Sequence, residues 1–237
     1  MKEKLKLGWF ATSRGKTSLK IFRYIYSAIK KKQLNAKIEF VFINREFGEA
    51  ENSDKLINYI LKTKIPLITL SSKKFLPELK KENLNQWRRK FDTEVYSLIK
   101  KFDVDIILLA GYMLILSEKL CNKFNFINLH PALPWGPKGT WQEVIQQIIE
   151  KKEKEHGVMI HLVTKDLDRG PVLCYTKFKI KNYNFDQIRS QGVKLELPLI
   201  KYVLKLLSEK KLEIKNGKIY YKNKILNKTG LKVNIKT

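Results

Sequence analysis

Val104-Asp-Ile-Ile-Leu-Leu-Ala110, followed at once by Gly111-Tyr-Met-Leu-Ile-Leu-Ser117, decides how this chain is read. A segment apolar at almost every position must be covered on both faces, which is the situation of a central strand in a parallel sheet. Upstream, short apolar runs alternate with amphipathic stretches, the pattern of βαβ units. Strands are predicted over Leu5–Ala11, Lys37–Ile43 and Ile65–Leu70. Helices are predicted over Thr17–Lys32, with Leu19, Ile21, Phe22, Ile25 and Ile29 inward, near Asp54–Lys62, and over Asn83–Lys101 with Trp87, Phe91, Val95, Leu98 and Ile99 on one face. Phe126–Leu129 completes the series. Downstream, a helix is expected over Trp141–Lys152, strands over Val158–Thr164 and Val172–Ile180, and a long helix over Phe185–Leu207. Leu212–Leu226 reads as a hairpin turning at Asn216-Gly217, a pair suited to positive φ. The expected fold is an α/β, Rossmann-like open sheet, mostly parallel and flanked by helices, with a C-terminal helix and β-hairpin. Residues 1–237 read as one continuous α/β unit.

The chain has 237 residues, 43% hydrophobic and 30% charged, which excludes a disordered or collagen-like chain. Its two cysteines, Cys121 and Cys174, suit reduced thiols in a cytoplasmic protein better than a disulfide framework. There is no apolar run long enough for a membrane span, and the N-terminal stretch makes a poor signal peptide. The net charge of +25 stands out, yet 41 of the 48 cations are lysines scattered along the chain amid many Ile and Asn. That distribution fits compositional bias with phosphate steering as a by-product, and argues against nucleic acid as the partner. No motif specifies an oligomeric state.

In an open parallel sheet the loops at the carboxyl ends of strands carry ligands. The first such loop, Thr12-Ser-Arg-Gly-Lys-Thr-Ser18, offers a helix start, Lys16 and Arg14 for a phosphate, with Gly15 allowing close backbone approach and Thr17 or Ser18 able to cap; it can equally serve only as a cap. The fifth strand ends in Ile127-Asn-Leu-His-Pro131. Residues two apart share a strand face, so Asn128 and His130 lie together: an amide for a developing oxyanion beside an imidazole for proton transfer. Val163-Thr-Lys-Asp-Leu-Asp-Arg-Gly-Pro171 adds acids at a turn; one could bond the imidazole and raise its pKa, or the segment is turn chemistry alone. His156 and His161, five apart with no nearby cysteine, do not make a zinc site, and no metal is expected; His156 is read as a surface residue at a helix end. No Gly-x-Ser-x-Gly occurs.

In this order, Leu109–Ser117, Ile127–Pro131 and Leu162–Val172 resemble the formyltransferases that use 10-formyltetrahydrofolate, a likeness running from about Leu5 to Leu226. Within that family the branch of purine biosynthesis that formylates glycinamide ribonucleotide is the nearest. The resemblance implies Asn128, His130 and Asp168 as catalytic residues, with direct attack of the amine and a tetrahedral intermediate. It implies folate contacts at Arg88 (with Arg89 as the register alternative), Leu109, Met113, Leu114, Ile115, Leu116, Thr164, Lys165, Asp166 and Leu167, and substrate phosphate at Gly15, Lys16, Thr17 and Ser18. The phosphate-binding half would be 1–110 and the folate and catalytic half 111–237. Partners are then a phosphorylated amine and 10-formyltetrahydrofolate as co-substrate.

Three departures touch the acceptor side. The phosphate loop lacks the family's Asn; Leu133–Val144 differs from the usual His-containing pattern; and a Glu-His pair is replaced by Val193-Lys194, with Glu196 close by. Alternative readings are therefore a formyltransferase acting on a sugar nucleotide or an aminoacyl-tRNA, or a non-catalytic RNA-binding relative.

Overall fold

The computed structural model describes residues 3–235, which fall into two compact units, the first ending at Phe126 and the second beginning at Ile127. The first contains β1 (Leu5–Ala11), α1 (Thr17–Lys30), β2 (Ala36–Ile43), α2 (Glu51–Leu61), β3 (Leu67–Thr69), α3 (Pro77–Glu82), α4 (Leu84–Ile99), β4 (Ile106–Leu109) and α5 (Glu118–Cys121). Its strands pair in parallel in the order β4-β1-β2-β3, as expected of βαβ units. All four residues of β4 are buried, and Phe10 of β1 lies at the centre of an aromatic cluster. Its ring stands 4.7 Å from Phe42, 5.3 Å from Tyr112 and 5.4 Å from Phe126. Such pairs each contribute about 1 kcal/mol beyond the area they bury.

The boundaries differ from the sequence reading where local chemistry intervenes. β3 is only three residues long, with Leu67 and Ile68 half-buried and Thr69 exposed, as suits an edge strand entered from Pro66. α3 was not expected; Pro77 at its first turn follows Leu76 at φ 42°. α4 starts cleanly because the Asn83 side chain accepts from Gln86 N at 2.9 Å. Its buried face holds Trp87, Phe91, Val95 and Ile99 as expected, but Leu98 is half-buried and Asp92 takes an inward place. In α1, likewise, Leu19 and Ile29 lie on the flank while Ser18 and Ala28 are buried.

β5 (Phe126–His130) begins at the last residue of the first unit. The second unit then runs through α6 (Trp141–Glu150), β6 (Glu155–Leu162), β7 (Val172–Lys179), α7 (Phe185–Ser208), β8 (Leu212–Lys215), β9 (Lys218–Tyr221), β10 (Lys224–Ile225) and β11 (Leu231–Lys232). β5 pairs antiparallel with β6 and β6 antiparallel with β7, while β11 adds in parallel to β7. α7 contacts both β6 and β7 through an apolar stripe that includes Leu195, Leu199 and Val203. The tail exceeds the expected hairpin: β8, β9 and β10 form an antiparallel sheet, turning at Asn216 (φ 49°) and Gly217 (φ 69°). Both cysteines are free thiols, and burial pushes each up to about 12. Among the described residues no helix is long and apolar enough to cross a membrane.

Candidate active site

The antiparallel register of β5 and β6 places Asn128 directly opposite His161 and His130 opposite Met159. Asn128 and His130, two apart, share the β5 face that the sequence predicts. The turn between β6 and β7 returns Asp168 to that face. His130 Nδ1 stands 3.5 Å from Asp168 Oδ2, and His161 Nε2 stands 3.7 Å from Asp168 Oδ1. Asn128 Nδ2 lies 3.2 Å from His161 Nε2, and the two imidazoles meet edge to face at 6.2 Å. Thus the three sequence-predicted catalytic residues converge, and a fourth polar side chain, His161, joins them.

Two local features hold Asp168 in place. Its φ of 53° lies in the left-handed region, which costs a non-glycine residue about 1–3 kcal/mol. Gly170 permits the turn: a Cβ there would sit 1.8 Å from Leu162 O, so only glycine fits. Arg169 N donates to Asp166 O at 3.2 Å and Leu162 N to Pro171 O at 2.8 Å, closing the turn. Asp168 Oδ2 also accepts from Gly139 N at 3.1 Å.

Electrostatically the pair differs from the sequence expectation. Burial pushes the His130 pKa below its ordinary value; the nearby Asp168 carboxylate and the Pro137 carbonyl push upward but do not win. The ring is therefore neutral at rest rather than held cationic. For Asp168 burial acts upward, but the facing histidines and the Gly139 N–H together outweigh it, and the carboxyl lies below its usual value. His130 Nε2 lies 3.0 Å from Pro137 O. A carbonyl only accepts, so Nε2 bears the proton and Nδ1, beside Asp168, is the basic atom.

The Pro134–Gly139 segment is wired into this site. Pro137 O meets His130, Gly139 N meets Asp168, and the Arg169 guanidinium donates to Pro134 O at 3.4 Å and Gly136 O at 3.1 Å. Thr140 and Glu143 form a capping box that starts α6. A cleft of about 410 Å³ is lined by Leu133, Trp135, Pro137, Lys138, His156 and Arg169, among others. Glu196 is buried and bonded to Arg189 Nη1 at 2.6 Å, with that guanidinium 4.7 Å over the Trp141 ring.

The other predicted ligand residues lie on both units. In the second, Thr164 is half-buried and Lys165, Asp166 and Leu167 are exposed on the turn leading to Asp168. In the first, the irregular run after β4 is anchored at both ends. Met113 N donates to Thr12 Oγ1 at 2.9 Å, and Ser117 N donates to the buried carboxylate of Asp92. Burial raises the Asp92 pKa. Leu109 and Leu116 are buried and Leu114 half-buried, while Met113 (50%) and Ile115 (41%) stand exposed between the anchors. Arg88 is half-buried on the Asp92 side of α4 and bonds Asn85 Oδ1 at 3.2 Å, whereas Arg89 is exposed.

The loop before α1 is pinned by Ser53 Oγ donating to Thr12 O at 3.2 Å, Ser13 Oγ to Asn52 O at 3.0 Å, and Asn52 Nδ2 to Arg14 O at 3.2 Å. Arg14, Gly15 and Lys16 are exposed, Thr17 is half-buried and Ser18 buried. The expected side-chain cap by Thr17 or Ser18 is not formed: Lys16 is the N-cap and no side chain bonds the first turn. Gly15 needs no special φ, and a Cβ there would meet open space; Ser13, at φ 53°, makes the tight bend instead.

One histidine was misread and one missed. His156 is not at a helix end on the surface: it is in β6, 2% exposed, with Nδ1 unpartnered and its ring edge-on to Phe178 at 5.4 Å. Sequence spacing tests His161 only as a zinc ligand. Its role depends on which strand β6 pairs with and in what register, information that one-dimensional spacing does not contain.

A family model described as formyl transferase matches residues 15–199. The chain is 31% identical over 166 residues to the phosphoribosylglycinamide formyltransferase of Dictyostelium discoideum, covering 66% of this chain and 76% of that protein. It is 30% identical over 142 residues to the enzyme of the same name from Haemophilus influenzae, covering 59% of this chain and 66% of that one. The solved phosphoribosylglycinamide formyltransferase of Coxiella burnetii shares the fold, with a TM-score of 0.79 at 24% identity over 98% of this chain and 100% of its own. The mostly parallel α/β architecture, the Asn128, His130 and Asp168 constellation, and a model match over most of the length agree: the chain belongs to the formyl transferase family.

Proposed function

We propose that this enzyme transfers the formyl group of 10-formyltetrahydrofolate to the primary amine of glycinamide ribonucleotide, a step of purine biosynthesis. The observation that carries the reading is the buried His130–Asp168 pair with Asn128 on the same strand face. The amine nitrogen attacks the formyl carbon, and Asn128 donates to the oxygen as its negative charge develops. His130 takes the amine proton on Nδ1, the atom left basic by the Pro137 contact, and Asp168 stabilises the imidazolium that results. On collapse the bond from carbon to folate N10 breaks, and the proton passes to N10. A histidine kept neutral by burial suits a base that must first accept a proton.

Arg88, Leu109, Met113, Leu114, Ile115, Leu116, Thr164, Lys165, Asp166 and Leu167 are proposed as folate contacts. The exposed apolar Met113, Ile115 and Leu167 support this, as does the anchoring of the run at Thr12 and Asp92. Gly15, Lys16, Thr17 and Ser18 are proposed for the substrate phosphate, supported by an uncapped helix start with no acid in its first turn. The phosphate-holding half is put at 1–110 and the folate and catalytic half at 111–237 of one catalytic domain. Two protonated, free thiols support a reducing, cytoplasmic setting.

A second acceptor class is favoured by one observation. Glu196, the acid nearest the replaced Glu-His pair, is consumed by Arg189 and cannot bind an amine freely. The deciding experiment is an acceptor screen with 10-formyltetrahydrofolate, following absorbance of the deformylated product. Turnover with glycinamide ribonucleotide above that with sugar nucleotides and aminoacyl-tRNA is expected. Turnover only with one of the latter would move the enzyme to that branch.

A further inference from the structure

We propose that His161 is a positioning residue that determines which end of the Asn128 amide carries the hydrogen-bond donors. The inference rests on formyl transfer with Asn128 as the oxyanion donor, and adds what orients that donor. His161 Nδ1 lies 3.0 Å from Leu162 O, and since a carbonyl oxygen only accepts, Nδ1 carries the ring proton. In the neutral ring Nε2 then presents a lone pair. Its nearer polar neighbour is Asn128 Nδ2 at 3.2 Å, with Asp168 Oδ1 farther away at 3.7 Å. A lone pair accepts from an amide NH2 and repels an amide oxygen, so the ring selects one of the two otherwise similar amide orientations. One hydrogen of Asn128 is spent on His161, and the second is left for the oxygen of the tetrahedral intermediate. The reversed amide would aim an oxygen at that negative charge. Charging the His161 ring would reverse the preference, making Nε2 a donor to Asn128 Oδ1 or to Asp168.

The register makes the device specific. Asn128 and His161 are directly paired across β5 and β6, both side chains are at least half-buried, and the Leu162 carbonyl that sets the tautomer belongs to the next residue of the same strand.

Steady-state kinetics of His161→Leu, His161→Gln, Asn128→Ala and the double variant test the proposal, with ¹⁵N spectra of the wild-type imidazoles as a readout independent of turnover. His161→Leu is expected to lower kcat about 100-fold, the scale of one lost oxyanion donor, with KM for the folate little changed. His161→Gln places an amide oxygen where Nε2 stood and is expected to restore most of kcat. In the Asn128→Ala background the leucine substitution should cost almost nothing further, because its effect runs through the missing amide. The ¹⁵N spectrum should show a protonated Nδ1 and an unprotonated Nε2. Multiplicative losses in the double variant, equal defects in the glutamine and leucine variants, or an Nε2-protonated ring would each overturn the proposal. An Asn128→Ala enzyme with full activity would instead overturn the reading of Asn128 as oxyanion donor, and the proposal with it.

Discussion

Replacing His156 by leucine should remove a specific piece of the protein's acid sensitivity. This imidazole is 2% exposed, has an unpartnered Nδ1 and packs against Phe178. Burial, with smaller contributions from His130 and Arg189, pushes its pKa from 6.5 to about 4. In the unfolded chain the ring titrates at its ordinary value. Between those two pH values the unfolded state therefore carries one proton that the folded state does not, and folding stability must fall as pH falls. The stabilisation is fully present above about pH 6.5 and is lost progressively towards pH 4. At 1.36 kcal/mol per unit, the interval amounts to about 3 kcal/mol, a large share of a typical folding free energy. Urea unfolding of wild type and His156→Leu from pH 4.5 to 8 measures it. Other titrating groups act in both proteins, so the difference between the curves isolates this ring. At pH 7 the variant should lie near or slightly above wild type, since an orphaned buried polar atom has been removed. Towards pH 4.5 it should hold most of the roughly 3 kcal/mol that wild type loses. Parallel curves would show that the ring is protonated or solvated in the folded protein, and the burial argument would fail.

Three further outcomes follow from the site. Asp168→Asn should lower kcat about 100-fold and move the acid limb of the kcat/KM profile to lower pH, because the carboxylate that pushes the His130 pKa upward has gone; a limb moving to higher pH would contradict the pairing. Asp92→Ala frees the Ser117 amide and should raise the KM for 10-formyltetrahydrofolate about tenfold while leaving that of the amine acceptor unchanged, as two-substrate kinetics would show. Lys16→Glu should raise the KM for a phosphorylated acceptor about tenfold or more without a matching effect on the folate, and equal effects on both would refute the phosphate assignment.

Much of the architecture could be read directly from local pattern. The uniformly apolar β4, the alternation before it and the Asn-Gly turn all express short-range physics, and each formed where expected. Asn128 and His130 were legible for the same reason, since a strand's period of two is fixed by its pleat. What escaped depends on pairing. His161 acquires its partner only through the β5–β6 register, and β11 is two residues long and exists only because β7 offers an edge. His156 was misplaced because a polar residue flanked by lysines and glutamates looks exposed, whereas its strand is buried along nearly its whole length. The direction of the His130 pKa was misread for a related cause: the acid beside it could be inferred, but the depth of burial that outweighs the acid could not.

The loop from Pro134 to Gly139 touches the His130–Asp168 pair from both sides, through a carbonyl on one ring nitrogen and an amide on one carboxylate oxygen. On the proposed function the amine is recognised along this stretch, so that acceptor selectivity and acid–base strength would share a single strip of backbone. A graft that imports another enzyme's acceptor preference into this strip would at the same time reset where His130 keeps its proton. Substitutions in this strip are expected to shift the acid limb of the activity profile together with the acceptor preference.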